Sequence, residues 1–369
     1  MDRYIHEHKD WPNFTWNEGQ LAVKLAGVRH RQGRLLGQMG GMGFNLKTEA
    51  NLHTLTLDVL KSSEIEGEKL NADQVRSSIA RRLGMDIAGL IPADRHVEGI
   101  VEMMLDATQN YNDSLTHKRL FNWHAAMFPT GKSGMQEIVV GKYRDNAPAD
   151  PMRVVSGAMG KERIHFQAPA SDLLPKEMDK FLNWFNSEKT TDPVIKSAVA
   201  HLWFVTIHPF DDGNGRIART ITDMQLSRAD ESAQRFYSMS SQIRTERKEY
   251  YDILEKTQKG SLDITGWLGW FLNCLDGALA NTDETLAAVL KKVRFWEKHS
   301  TTSLNDRQRI MLNRLLDGFE GKLTSSKWAT ITKTSQDSAG RDINDLLDKQ
   351  ILMKEPGGGR STSYILKSN

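Results

Sequence analysis

Apolar residues recur at helical spacing along most of this 369-residue chain. The periodicity predicts one helix from Glu18 to about Gln38, ended by Gly40, Gly41 and Gly43, and a second from near Thr48 to Lys61. Val75, Ile79 and Leu83, then Val97, Ile100, Val101, Met104 and Leu105, carry the pattern through 68–115, with Asn71-Ala72-Asp73-Gln74 as a helix start. Leu120, Trp123, His124 and Met127 predict a helix over 117–128. Between Gly131 and Pro169 the pattern changes. Ile138-Val139-Val140, Val154-Val155 and Ile164-His165-Phe166 are short β-prone runs, with Gly157 and Gly160 between the last two, so a small hairpin inserted among helices is expected. Helices resume over Pro175–Asn186 and Pro193–Ile207, then follow Ile217, Ile221, Met224 and Leu226. Two more are expected over Glu246–Lys259 and Ile264–Asn281, the latter with Trp267, Trp270, Phe271 and Leu275 on one face.

The last quarter has its own plan. A polar helix over Glu284–Lys298 leads to Ser300-Thr301-Thr302-Ser303, which reads as a linker. Helices are then expected over Asp306–Leu316, Ser325–Thr332 and Ser335–Lys349, the last with Ile343, Leu346 and Leu347 inward. Ile351-Leu352-Met353, a turn at Pro356-Gly357-Gly358-Gly359-Arg360, and Tyr364-Ile365-Leu366 read as strand, turn, strand. Three helices followed by a hairpin resemble a winged helix.

The candidate chemistry is concentrated in His208-Pro209-Phe210-Asp211-Asp212-Gly213-Asn214-Gly215-Arg216-Ile217-Ala218-Arg219. An imidazole that titrates near neutrality is a natural proton acceptor. Gly213 and Gly215 let the amides of a tight loop turn inward, and a helix that starts there offers an anion site. Arg216 and Arg219, three apart on that helix, both reach one side and bind phosphate in fork geometry. Asp212 supplies the hard oxygen that Mg²⁺ prefers. Gly131-Lys132-Ser133 looks like the end of another phosphate loop. The first glycine of that pattern falls on Ala126 within a helix, and no parallel strand precedes it, so it is set aside.

The twelve-residue run resembles the Fic family signature, His-Pro-Phe-x-(Asp/Glu)-Gly-Asn-Gly-Arg-x-x-Arg, at every specified position. The resemblance implies a mainly α fold: a Fic-type helical core with a small β-hairpin flap, to which the winged helix is added. It divides the chain into an N-terminal helical region (1–110), a catalytic core (111–285), a linker helix (286–304) and the winged helix (305–369). The activity it implies is protein adenylyl transfer, in which AMP passes from ATP to a Ser, Thr or Tyr hydroxyl of a target protein or of the chain itself. His208 is then the general base and Asp212 the Mg²⁺ ligand. Gly213, Asn214, Gly215, Arg216 and Arg219 hold the phosphates. Ile164, His165 and Phe166 of the flap lie over the nucleotide, with Tyr250, Tyr251 and Gln258 on the adenine side.

Upstream, Ser62, Glu66 and Gly67 match the inhibitory pattern (Ser/Thr)-x-x-x-Glu-(Gly/Asn) of many Fic proteins. By resemblance, Glu66 pairs with Arg219 and fills the γ-phosphate space. The same carboxylate, near an α-phosphate, is placed to activate water, so removal of AMP from a target stands as an alternative, as does transfer of another phosphate-containing group.

Composition narrows these readings. No apolar run approaches the roughly 20 residues of a membrane span, and Met1–His8 lacks the apolar core of a secretory signal. Cys274 is the only cysteine, which rules out an internal disulfide and makes a cytoplasmic setting the expectation. Net charge is +2, unevenly spread: residues 291–369 hold 15 Lys+Arg against 9 Asp+Glu. A basic terminal module favours a polyanion. A nucleotide-sensing regulator that binds DNA through the winged helix is therefore a further reading, and a homodimer is left open.

Overall fold

The computed structural model describes residues 3–41, 43–85, 89–147, 149–157, 163–319, 321–355 and 362–367. They form two compact units, Met1–Arg82 with Pro92–Asp283, and Leu83–Ile91 with Glu284–Asn369. In chain order the first unit contains helices α1 (Glu18–Gly40), α2 (Phe44–Ile65), α3 (Ala72–Arg82), α4 (Arg95–Gln109) and α5 (His117–Met127). Strands β1 (Lys132–Ser133), β2 (Gln136–Glu137), β3 (Arg153–Ser156) and β4 (Arg163–Gln167) follow. Then come α6 (Leu174–Ser187), α7 (Pro193–Ile207), α8 (Asn214–Asp230), α9 (Met239–Thr245), α10 (Arg247–Gln258) and α11 (Thr265–Ala280). Helix α12 (Thr282–Lys298) leads into the second unit, which holds α13 (Asp306–Leu316), α14 (Ser325–Thr332), α15 (Gln336–Asp348), β5 (Leu352–Lys354) and β6 (Tyr364–Leu366).

The mainly helical fold with only small antiparallel strand pairs matches the expectation. Among the described residues no helix is long and apolar enough to cross a membrane. Helix α7 is the core of the first unit. Its start is set by Asp192, whose carboxylate accepts from the amides of Val194 (2.8 Å) and Ile195 (3.3 Å), with Pro193 pre-set for the first turn. Every residue from Val194 to Ile207 is buried, as the apolar character all round this helix requires. Of its polar groups, His201 bonds Thr222 (2.9 Å) on α8 and Tyr250 (2.8 Å) on α10, and the Ala198 carbonyl accepts the Trp267 indole at 2.8 Å.

A buried ionic knot binds α1 and α2 to the end of α8. Arg235, wholly buried, lies 3.0 Å from Asp223 and 3.5 Å from Asp230. The Tyr237 hydroxyl donates to Asp230 at 2.8 Å, the Gln32 amide also reaches Asp230, and the Ser238 hydroxyl donates to Asp58 of α2. Burial pushes the Asp58 carboxyl well above the ordinary carboxylate range.

Four elements differ from the sequence reading. Helix α2 begins at Phe44, ahead of Thr48, and runs on to Ile65, which puts Ser62 inside a helix and Glu66 at its cap. The expected pattern through 68–115 is interrupted after Arg82, and Leu83 belongs to the second unit. Ile138-Val139-Val140 is not a strand; the pairing here is β1 with β2, and the Val139 amide is bonded to a side chain instead. Helix α9 had no counterpart, because seven residues carry too little periodicity to register. The β3–β4 hairpin forms antiparallel as expected, with a register irregularity between Val154 and Val155. Gly160 and the expected turn over 356–360 lie outside the described residues.

In the second unit α13, α14 and α15 close on Met311, Leu312, Trp328, Ile343 and Leu346, with Leu352 of β5. The β5–β6 hairpin is antiparallel, and Leu323 bridges to Tyr364 on its free edge.

Burial holds the two innermost imidazoles of the first unit neutral. It pushes the pKa of His124 down to about 4 and that of His201 to about 3. The unfolded chain takes up a proton at each near pH 6.5, whereas the folded chain does not until far lower pH, so each contribution is complete above 6.5 and is lost as pH falls below it. We expect wild type to lose stability relative to His201→Gln, by up to about 1.4 kcal/mol per pH unit between pH 6.5 and 4.5, in urea denaturation monitored by tryptophan fluorescence.

Candidate active site

The site is built where α7 stops and α8 starts. His208 caps α7 in the left-handed conformation, at φ 52° and ψ 58°, and its amide still donates to the Phe204 carbonyl. Its Nδ1 lies 3.3 Å from the Val205 carbonyl, an acceptor only, so Nδ1 carries the hydrogen and Nε2 keeps its lone pair. Burial pushes the pKa of this half-buried imidazole down to about 4; nearby Asp212 and Glu66 oppose the shift and Arg144 adds to it. His208 is therefore neutral at physiological pH and has a free acceptor nitrogen.

The loop after it is fastened residue by residue. Phe210 is fully buried and stacks on His124, with centroids 4.3 Å apart and planes 10° apart. Asn214 closes the loop on Phe210, accepting its amide at 3.0 Å and donating to its carbonyl at 2.7 Å. Asp211 accepts the Val139 amide at 2.8 Å, so the variable position of the signature anchors a loop and the residues read as a strand serve as its partner. The His124 ring takes the Gly141 amide on Nδ1 and donates from Nε2 to the Asp212 carbonyl, each at 3.2 Å. Gly213 has φ +81°, and a Cβ there would lie 2.4 Å from Met127 Cε, so glycine is required twice over. With its carbonyl bonded by Ile217, the amides of Asn214, Gly215 and Arg216 have no partner within α8.

Arg144 is the residue that sequence reasoning missed. Its Nε donates to the His208 carbonyl at 2.8 Å, its guanidinium also reaches the Pro169 carbonyl and Asn146, and its amide donates to the Pro209 carbonyl at 3.0 Å. It is 2 % exposed and clamps the loop from below. An arginine outside the signature, in an aperiodic stretch, gave no signal of this.

The signature arginines face the end of α2. Arg219 is buried and donates from Nε to the Ser62 hydroxyl (2.9 Å), and from Nη2 to the Ser62 carbonyl (2.9 Å) and Glu66 Oε1 (2.8 Å). Gly215 has no side chain to obstruct this: a Cβ there would stand 2.2 Å from Glu66 Oε1. Arg216 donates to Glu68 at 2.8 Å and lies 3.8 Å from Asp212. Two guanidinium nitrogens, Arg216 Nε and Arg219 Nη1, are buried without a hydrogen-bond partner among the described residues. Buried cationic donors that stand unmatched fit an incoming acceptor such as a phosphate oxygen. The Asp212 carboxylate takes the Ser133 hydroxyl and the Gly213 amide and is half exposed. A single accessible carboxylate suits Mg²⁺ that is shared with phosphates. No group of three or more His, Cys, Asp or Glu that could hold a metal is found among the described residues.

The remaining expected residues are placed variously. Tyr251 lies beside the motif, its hydroxyl 3.5 Å from the Ile65 carbonyl, and Arg247 covers its ring while donating to the same carbonyl at 2.7 Å. Tyr250 is buried on His201, and Gln258 donates to Thr206 at 3.2 Å inside the core. On the flap, Phe166 turns inward against Tyr4 and His6, while Ile164 is half-buried. His165 bonds Glu255 of α10 at 2.6 Å, beside Arg163 at 2.9 Å, which ties the flap strand to that helix.

A family model described as Fic/DOC family matches residues 114–226, the span that holds the loop and both arginines. Residues 114–226 of the chain thus match a Fic/DOC domain. A second model, a domain of unknown function (DUF4172), covers residues 4–85, the span that holds Ser62 and Glu66. Protein adenylyltransferase Fic of Drosophila melanogaster is 26 % identical over 232 residues, 60 % of this chain and 40 % of that protein. Its namesake of Culex quinquefasciatus is 26 % identical over 237 residues, 60 % of this chain and 40 % of that one. The chain thus spans about 40 % of the length of the curated relatives it matches. The crystal structure of a Fic family protein from Desulfovibrio desulfuricans aligns at TM-score 0.53 and 19 % identity, over 97 % of this chain and 98 % of that one. A Fic domain containing signaling protein from Bacteroides thetaiotaomicron aligns at TM-score 0.52 and 19 % identity, over 71 % of this chain and 97 % of that one.

Arg144 holds the loop of this Fic domain through three acceptors, the partly buried His208 carbonyl and Asn146 side chain and the buried Pro169 carbonyl. Arg144→Ala leaves these acceptors unmatched, and we expect a stability loss of about 2–4 kcal/mol, read as a lower midpoint in chemical denaturation.

Proposed function

We propose that the chain is an autoinhibited protein adenylyltransferase that uses ATP with Mg²⁺ and modifies a Ser, Thr or Tyr hydroxyl of a target protein or of itself. The observation that carries this reading is the pair of unmatched buried donors, Arg216 Nε and Arg219 Nη1, at a helix start beside a neutral imidazole. The amides of Gly215 and Arg216 and the two guanidiniums receive the triphosphate, with the β-phosphate on Arg216 and the γ-phosphate toward Arg219. His208 Nε2 accepts the proton of the target hydroxyl as its oxygen bonds the α-phosphorus; the bond to the bridging oxygen breaks and pyrophosphate leaves. The Asp212 carboxylate would hold Mg²⁺, which would supply positive charge to the phosphates. Glu66 and Ser62, which already occupy Arg219, support the inhibitory reading of the upstream motif.

Intact-mass spectrometry after incubation with ATP, Mg²⁺ and a hydroxyl-bearing target tests the reading. One AMP is expected on the target or on the chain. His208→Ala abolishes it, and Glu66→Gly raises it by about tenfold or more, because a charge-assisted contact of 1.5–3 kcal/mol no longer competes. No AMP incorporation by the Glu66→Gly protein overturns the transferase; equal incorporation by both proteins overturns the inhibition alone.

The second unit supports a separate reading as a winged helix, since three helices precede an antiparallel hairpin whose edge is extended by Leu323. Duplex DNA is the polyanion that a basic module of this plan takes. Retardation of duplex DNA by the full chain, with an affinity that falls steeply with salt, is expected; no retardation at low salt sinks the idea.

A further inference from the structure

Glu68 lies beyond the six-residue inhibitory pattern, yet it meets the signature as directly as Glu66 does. The chain turns sharply off α2, with the amides of Glu66 and Glu68 both donating to the Ser63 carbonyl, at 3.1 and 3.0 Å. That turn sends the two carboxylates to different arginines: Glu66 Oε1 to Arg219 Nη2 and Glu68 Oε2 to Arg216 Nη1, each at 2.8 Å. Arg216 is 7 % exposed in its side chain, packs its guanidinium over Phe128 at 5.2 Å, and has Nε buried without a partner. One tooth of its fork is therefore taken and another stands unmatched.

We infer that Glu68 is a second inhibitory carboxylate, which holds Arg216 as Glu66 holds Arg219 and must be displaced before a nucleotide can bring its β-phosphate to that arginine. The inference rests on the nucleotide reading of the preceding section. His96 makes the displacement feasible. Its Nδ1 lies 2.9 Å from the Met127 carbonyl, which fixes the ring, and its Nε2 lies 2.5 Å from Glu68 Oε1. Glu68 thus keeps a partner when Arg216 leaves it, so release strands no charge. The two latches divide the phosphates between them. Glu66 opposes a γ-phosphate, whereas Glu68 opposes a β-phosphate, which AMP lacks.

Calorimetric titration of the full chain with ADP and with AMP, both with Mg²⁺, separates the possibilities. For Glu68→Gln and Glu68→Ala the Kd for ADP is expected to fall about two- to fivefold, the upper part of the range for releasing a partly exposed ion pair, while the Kd for AMP stays as in wild type. An unchanged Kd for ADP in both variants overturns the second latch and leaves the nucleotide site standing. Equal tightening of ADP and AMP overturns it too, since a loosened site favours both. Failure of ADP to bind any of the three proteins overturns the nucleotide site and the latch together.

Discussion

Arg219 is a charged group sealed inside protein, and the organisation of the site follows from that. A buried guanidinium favours charged and polar acceptors, and its charge-assisted contact with the partly exposed Glu66 is worth about 1.5–3 kcal/mol. Here the acceptors are Ser62 and Glu66, from a helix that begins 175 positions earlier in the sequence than the arginine itself. The pairing joins the N-terminal helices to the signature helix. It also leaves the Glu66 carboxylate in contact with the signature helix, 2.8 Å from Arg219 Nη2.

The opposite wall answers a different constraint. A tight loop between two buried helices carries backbone carbonyls that water cannot reach, and each needs a donor. Arg144 supplies donors to His208 and Pro209, Asn214 closes on Phe210, and His124 holds the Asp212 carbonyl. These bonds fix the backbone of the loop and leave Nε2 of His208 free. The residues around the reacting groups are thus largely occupied in holding the loop, which lets a helix end with a left-handed histidine persist.

The flap and the N-terminal segment have a similar relation. Phe166, expected over the nucleotide, meets the stacked rings of Tyr4 and His6 edge-on, so one face of the β4 strand is spent on packing. His165, on the other face, is tied to α10 through Glu255. Only Ile164 remains half-buried and uncommitted to either cluster. Alternation along a strand sends neighbours to opposite faces, and the face that packs cannot be read from three residues alone.

Local information in the sequence was enough for the mainly helical fold, the hairpin at Val154–Phe166, and the clustering of His208, Asp212, Arg216 and Arg219 at one helix–loop–helix junction, because each depends on spacing within a few turns of chain. The partnership of Glu66 with Arg219 came from resemblance alone, and the bonds of Ser62 to the same arginine from the structure. Glu68 on Arg216, Arg144 under the loop, Asp211 on Val139 and the knot of Arg235 with Asp223 and Asp230 were decided by tertiary structure. Each is a contact in which a buried polar group takes whatever partner the packing of distant segments brings within reach, and no periodicity records which one that is.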